Sequence, residues 1–202
     1  NRVYLGFSAD MKLKKIFNSF STYEKINIGG ISGQKLSNND IIYFKNIKSP
    51  STKKIPSSFI NRYDQTKIIR IIEGIHFDKI QNNLTLIDNQ FQISSNSDRM
   101  GLRLLNNKIK LNNYNEIDST VVTKGTIQVP RDGNPIILMS DSQSTGGYPI
   151  IGNICKIDIS KITQIKPNKR VKFKIITIDE SNRILDYELK KFKSKLDINL
   201  ST

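Results

Sequence analysis

Of the 202 residues, none is tryptophan, one is cysteine and one is histidine. A single cysteine, Cys155, excludes an internal disulfide and any multi-cysteine metal site. A Cys-His hydrolase would need Cys155 beside His76, and nothing in their sequence positions brings the two together. Both read as packing residues. No run of eighteen apolar residues occurs, so no segment reads as a membrane span. The zinc-protease motif His-Glu-x-x-His, a Ser-His-Asp order and the Gly-x-x-x-x-Gly-Lys-Ser/Thr phosphate loop are all missing. Asn1–Phe7 carries neither an initiator methionine nor signal-peptide architecture and reads as a strand. Such scarce thiols are consistent with a reducing cytoplasm.

Acidic residues are also scarce, 18 against 32 lysines and arginines, leaving a net charge of +14. That balance invites a nucleic-acid reading. Lysine outnumbers arginine 24 to 8, however, and the lysines are scattered among Asn and Ile. Nucleic-acid modules concentrate arginine and stacking aromatics, and no such cluster exists here. A solvated, lysine-rich surface accounts for the charge, with no nucleic acid and no membrane as partner.

What remains is a globular composition, 37% apolar and 25% charged, long enough for one or two domains. Short segments rich in Ile, Val and Phe, separated by Gly, Pro, Asn and Asp, predict a mainly β fold, a barrel or sandwich. The predicted strands are Val3–Phe7, Ile41–Phe44, Lys67–Ile72, Gln92–Ser94, Thr126–Val129, Ile136–Met139, Ile154–Ile159 and Val171–Ile178. Arg131-Asp132-Gly133-Asn134 reads as a hairpin turn with Gly133 left-handed. The proline-bearing run from Ser49 to Ser58 reads as a flexible loop near a domain seam. A short helix is predicted to start at His76–Ile80. A longer amphipathic one runs from Ser181 to about Ile198, with Leu185, Leu189, Phe192 and Leu196 on one face, expected to pack on the barrel.

Two polar stretches carry candidate chemistry. In Ser97–Arg103, Asp98 and Arg99 sit at an abrupt turn. The Arg99 fork suits a carboxylate or carboxybiotin-like group that Asp98 would help to orient, or the pair simply fastens the turn. In Lys124–Gly152, Gln128 lies on a strand with one polar face, directed to solvent or to a pocket. Gln143, Thr145 and Tyr148 offer amide and hydroxyl contacts, and Gly146-Gly147 offers adjacent N–H groups suited to a developing oxyanion. The same run also fits a tight turn between strands.

Three motifs taken together resemble a known family. They are SDRMGLRL at 97–104, GTIQVP with Asp132-Gly133 and Pro135-Ile136 from 125 on, and Asp141-x-Gln143-x-Thr145-Gly146-Gly147-Tyr148-Pro149-x-Ile151-Gly152. The chain is similar to the allophanate hydrolase subunit 2 (KipA) family. That family includes the C subunit of bacterial ATP-dependent 5-oxoprolinase and part of the carboxyltransferase domain of urea amidolyase. Fainter echoes span the chain at Ser19–Thr22, Gly29-Gly30-x-x-Gly33, Ile69–Gly74 and Pro167–Val171.

The resemblance implies a cyclophilin-like β-barrel at 61–202 and the remainder of an N-terminal carboxyltransferase subdomain at 1–60. It also implies that roughly the first third of a complete member is absent. As function it implies a subunit that opens 5-oxoproline to glutamate, with a KipI-like B subunit and a lactam-utilisation A subunit, ATP being used at the level of the complex. The alternatives are a biotin-dependent urea carboxylase, for which no Met-Lys-Met biotin-carrier signature is present here, and a KipA-like regulatory binding protein. Departures from the family pattern stand at Ser8-Ala9, Asn18, Phe20, Ile75, Thr120 and Ser142. An arginine is lost at both Phe20 and Ser142, which removes two expected anion contacts.

Overall fold

The computed structural model describes residues 4–49, 68–114 and 117–196. They fall into two compact units, one within Val3–Ile55 and the other chiefly Pro56–Thr202. The loop predicted at 49–58 lies almost wholly outside the described residues.

In the first unit β1 (Asp10–Met11) pairs antiparallel with β2 (Phe44–Lys45), and Phe7 stacks on Phe44 at 4.9 Å between ring centroids. Residues 4–7 form no strand, and of the strand predicted at Ile41–Phe44 only its last residue is in β2. Extended pairing needs a partner for every N–H and C=O, and this segment buries too little to supply one. Among its described residues only Gly29 and Gly33 are buried.

The second unit is built on a closed barrel. Its strands are β3 (Ile68–Glu73), β4 (Gln90–Ile93), β5 (Gly101–Leu105), β7 (Thr126–Gln128), β8 (Ile136–Leu138), β10 (Ile150–Ile154) and β11 (Arg170–Ile175). Around the barrel the order is β10-β3-β11-β4-β5-β8-β7. Only β11 and β3 run parallel; the other pairs are antiparallel. Closure follows from period-two sequence: Ile69 and Ile71 of β3, Phe91 and Ile93 of β4, Leu102 and Leu104 of β5, and Val171 and Phe173 of β11 all turn inward. Phe91 and Phe173 meet at 5.5 Å in a tilted pair. Burying each such side chain contributes about 1.5–3 kcal/mol. A small ladder, β6 (Thr120–Val121) with β9 (Thr145–Gly146), stands outside the barrel.

The hairpin between β7 and β8 has Gly133 at φ 79°, the left-handed turn expected. Helix α1 (Leu84–Asp88), missed in the sequence, buries Leu86. The strand predicted over Ile154–Ile159 is a correction. β10 ends at Ile154, and a 3-10 turn (Lys156–Asp158) leads into α2 (Ile159–Gln164). Asp158, inside that expected strand, is fully buried. Its carboxylate accepts from the Arg70 Nε (2.8 Å), Nη2 (2.6 Å) and backbone N–H (2.9 Å), and it pairs with Lys161 Nζ at 2.7 Å. Ion pairing across the barrel wall overrode the local strand pattern. Burial pushes the Asp158 carboxyl up, but bonds from Arg70 and Lys161 outweigh it and hold it below the usual range. Cys155 is buried, and its thiol is raised chiefly by that burial, which suits a packing residue.

The amphipathic C-terminal helix α3 runs Ile178–Leu196. Only its first turns pack inward, through Ser181 and the half-buried Ile184 and Leu185; Leu189 and Phe192 are 48% and 49% exposed. The expected packing of the whole stripe on the barrel therefore stops near Glu188. No described helix is long and apolar enough to cross a membrane.

Candidate functional site

The sequence motifs converge on one strip of chain, residues 139–150, laid along the outside of the barrel. At its start the Ser97–Gly101 turn runs beside it: Met139 N–H donates to Met100 C=O and Asp141 N–H to Arg99 C=O, both at 2.9 Å. The Arg99 guanidinium grips Asp141 through Nε–Oδ2 at 2.7 Å and Nη2–Oδ1 at 3.0 Å, while 60% of the arginine side chain stays exposed. Asp98 uses Oδ1 to accept the N–H groups of Met100 (2.8 Å) and Gly101 (3.1 Å), so it shapes the turn into β5. An incoming carboxylate would compete with Asp141 for the Arg99 fork.

Mid-strip, Gln128 is 1% exposed. Because Ile127 and Val129 fill the barrel, Thr126 and Gln128 face outward, under cover of the strip and β10. This polar face is covered from solvent, Thr126 being 2% exposed. Thr126 Oγ1 donates to Asn153 Oδ1 at 3.0 Å, and Gln128 Nε2 donates to Tyr148 C=O at 3.1 Å. Gly146 explains its own residue type: a Cβ there would lie 2.7 Å from Gln128 Nε2. Gly146 sits in the β9 ladder opposite Thr120, and Gly147 C=O accepts from Ile117 N–H at 3.2 Å. Tyr148 is 41% exposed, and Gln143 and Thr145 are exposed. Among the described residues, neither the Gln143 amide nor the Thr145 hydroxyl is engaged. The predicted set thus splits: Arg99 and Gln128 are tied to the strip by side-chain contacts, Gly146, Gly147 and Tyr148 belong to it and make named contacts, Asp98 serves its own turn, and Gln143 and Thr145 stand on the strip's open side.

The end of the strip holds a residue that sequence reasoning set aside. β10 carries a bulge: Ile150 pairs with Gln128 and Gly152 with Ile127, leaving Ile151 extra. His76 takes up the backbone displaced there, accepting the Ile150 N–H at Nδ1 (3.1 Å) and donating its own backbone N–H to Ile150 C=O (2.9 Å). An accepting Nδ1 puts the neutral ring's proton on Nε2. Burial, then Lys79, push His76 below the usual histidine range, and Asp78 opposes them. Gly74 permits the approach, since a Cβ there would meet Ile150 C=O at 2.5 Å. The signal for His76 was its place just after Gly74-Ile75, the family's turn position, which was read only as a helix start.

Among the described residues no group of three His, Cys, Asp or Glu is placed to hold a metal. A cleft of about 670 Å³ lies in the first unit, lined by Ala9, Asp10, Met11, Lys12, Leu13, Phe20 and Lys45. Phe20, where the family pattern has arginine, supplies part of its apolar wall, and Lys15 Nζ lies 5.1 Å over that ring.

Known proteins share this architecture. The family pattern described as carboxyltransferase domain, subdomain A and B, matches residues 1–175. The C subunit of 5-oxoprolinase from Haemophilus influenzae is 31% identical over 183 residues, which are 90% of this chain and 58% of that protein. Urea amidolyase of Saccharomyces cerevisiae is 26% identical across 91% of this chain and 11% of its own length. In three dimensions the Kluyveromyces lactis urea carboxylase superposes with a TM-score of 0.79 at 18% identity, over 93% of this chain and 19% of that one. The chain thus spans under two thirds of the curated 5-oxoprolinase relative it matches.

Proposed function

This chain belongs to the carboxyltransferase-domain family, subdomains A and B, and on that premise we propose that it is part of a 5-oxoprolinase C subunit. It would act with a KipI-like B subunit and a lactam-utilisation A subunit in the cytoplasm. The complex would open the cyclic amide of 5-oxoproline to glutamate with ATP. Residues 1–60 would be the remainder of the N-terminal carboxyltransferase subdomain, and 61–202 the barrel subdomain. The carrying observation is the 31% identity to a 5-oxoprolinase C subunit across nine tenths of this chain.

The site's chemistry fits a supporting role. The strip offers a guanidinium held by Asp141, an exposed amide at Gln143 and hydroxyls at Thr145 and Tyr148, groups that bind a carboxylate and a lactam carbonyl rather than attack one. No phosphate loop occurs in these 202 residues, so in this reading ATP would be bound and phosphate transferred at least partly outside them. Arg99 would hold the 5-oxoproline carboxylate, Gln143, Thr145 and Tyr148 would orient the ring, and Gln128, Gly146 and Gly147 would shape the strip beneath.

A second reading is supported by the urea carboxylase likeness in fold: the carboxyltransferase part of a biotin-dependent urea carboxylase. There Arg99 would meet a carboxybiotin-like group. One experiment separates the two. The full-length protein is reconstituted with its A and B partners and assayed for ATP-dependent glutamate release from 5-oxoproline, and in parallel for biotin-dependent urea carboxylation. Glutamate release lowered at least tenfold in kcat/KM by Arg99→Ala or Gln143→Ala supports the first reading. Turnover without change in both variants removes those residues from the site, and activity with urea alone moves the assignment to the second.

A further inference from the structure

We propose that His76 is a positioning residue for the strip: its neutral ring holds the Tyr148 end in place, and protonation of the ring releases that end while the barrel stays closed. The proposal takes from the functional reading above the premise that the strip presents the binding groups; the latch itself is tested without turnover. Its origin is a shortage of backbone acceptors. β3 pairs with β10 as far as Glu73 and Gly152, and Gly74 N–H still donates to Ile151 C=O at 3.1 Å. The chain then turns away, with Phe77 N–H on Gly74 C=O at 3.0 Å, into a 3-10 turn at Phe77–Lys79. β3 has ended before it could offer a carbonyl to the Ile150 N–H, and His76 Nδ1 accepts that group instead, at 3.1 Å.

That acceptor exists in one charge state. A protonated imidazole carries a donor on both nitrogens, so Nδ1–H would face the Ile150 N–H and the bond must open. Ile150 is 5% exposed, so its freed N–H regains a partner when the strip end lifts into water. The bulge confines the movement. Ile151, the extra residue, separates Ile150 from Gly152–Ile154, which pair with β3 and β7 and close the barrel. The strip end is also held by Gln128 Nε2 on Tyr148 C=O at 3.1 Å and by Val129 N–H on Pro149 C=O at 3.0 Å. Both bonds lie within two residues of Ile150, so Tyr148 moves with it. Around the ring, its own turn brings Asp78 and Lys79, the end of β3 Glu73, and the segment bonded to that turn Lys110. β7 and β10 carry no ionisable side chain. Burial, then Lys79, favour the neutral, accepting ring, and Asp78 opposes them.

Amide hydrogen exchange of the full 202-residue chain, read by NMR from about pH 8 to about pH 4 and corrected for the intrinsic rate, tests the latch. That range stays above the titration of Asp158, whose carboxyl is held below the usual range. Protection of the Ile150 and Val129 amides is expected to fall roughly tenfold or more, with its midpoint at the His76 nitrogen chemical-shift titration. The Leu104 and Ile176 amides, bonded to Pro135 and Ile71 in the barrel, are expected to change less than about threefold. In His76→Asn, which does not titrate, the pH dependence is expected to vanish with Ile150 still protected, Oδ1 standing in for Nδ1. In His76→Ala it is expected to vanish with the protection lost. Ile150 protection that stays level in the wild type overturns the proposal, as does a fall that the barrel amides share. A pH-dependent fall that persists in either variant, or protection kept in His76→Ala, overturns it too. Should a variant fail to fold, the wild-type profile decides alone. None of these readouts uses 5-oxoproline turnover, so the latch and the functional reading fail separately.

Discussion

Asp158 offers the most demanding stability test, because its carboxylate is fully buried and gathers two cations and a backbone N–H. Asp158→Ala would leave Arg70 and Lys161 facing a vacated site. Breaking a buried ion pair from one side costs about 3–5 kcal/mol. The low end applies here, since the Arg70 and Lys161 side chains are 21% and 30% exposed and can regain water. The Arg70 N–H also loses its acceptor, adding about 1 kcal/mol. A total of about 3–4 kcal/mol corresponds to a fall in melting temperature of roughly 6–16 °C for a domain of this size.

The sign with pH is fixed by the lowered carboxyl. Its contribution is complete above the unfolded value of about 3.9 and is lost as pH falls through the lower folded value. Asp158→Asn should therefore flatten the acid limb of the stability profile as well as lower its plateau. Urea unfolding monitored by far-ultraviolet circular dichroism from about pH 2 to 7 reads both effects. A loss below about 1 kcal/mol, or an unchanged acid limb, would show that this cluster does not hold the barrel wall.

Three further outcomes follow from the strip. Gly74→Ala should destabilise by about 3 kcal/mol or more in chemical unfolding, because the added Cβ meets the Ile150 carbonyl at 2.5 Å and backbone cannot step aside. Gly146→Ala should cost less, about 1–2 kcal/mol, since the neighbour is the Gln128 amide. In Gln128→Leu this second penalty should shrink, a coupling read by a double-mutant cycle. His76, lowered in the fold, gives stability that is complete above about pH 6.5 and is lost as pH falls through its folded value. His76→Gln should remove that limb, and a nitrogen chemical-shift titration placing His76 above about 6.5 would reverse the reasoning.

Much of the barrel is legible in the chain because β strands write their facing in period two. Ile69 and Ile71, Val171 and Phe173 could be assigned an inner face without coordinates. The motif Gly101–Leu105 was read for its chemistry, and its identity as β5 was overlooked behind the Asp98-Arg99 turn. The strand expected at Ile154–Ile159 failed because its pattern is short, and short apolar runs fit strand and helix alike. There the deciding partner, Arg70, lies 88 residues away.

For the candidate site, residue type announced the turns but not their use. Gly146 was read as an N–H donor for a developing oxyanion, whereas what its lack of a side chain admits is the protein's own Gln128. Arg99 was left between ligand and structural roles, and in the fold Asp141 occupies its fork.

Local features were already written along the chain: the inward-facing residues of the strands, the left-handed turn at Gly133, the amphipathic C-terminal helix and the family motifs. Each depends on neighbours within a few positions. The burial of Asp158, the joining of Arg99 to Asp141 and the seating of His76 on the β10 bulge arose only on folding. They rest on ion pairs and backbone hydrogen bonds between segments dozens of residues apart, and barrel closure is what brings such partners into bonding distance.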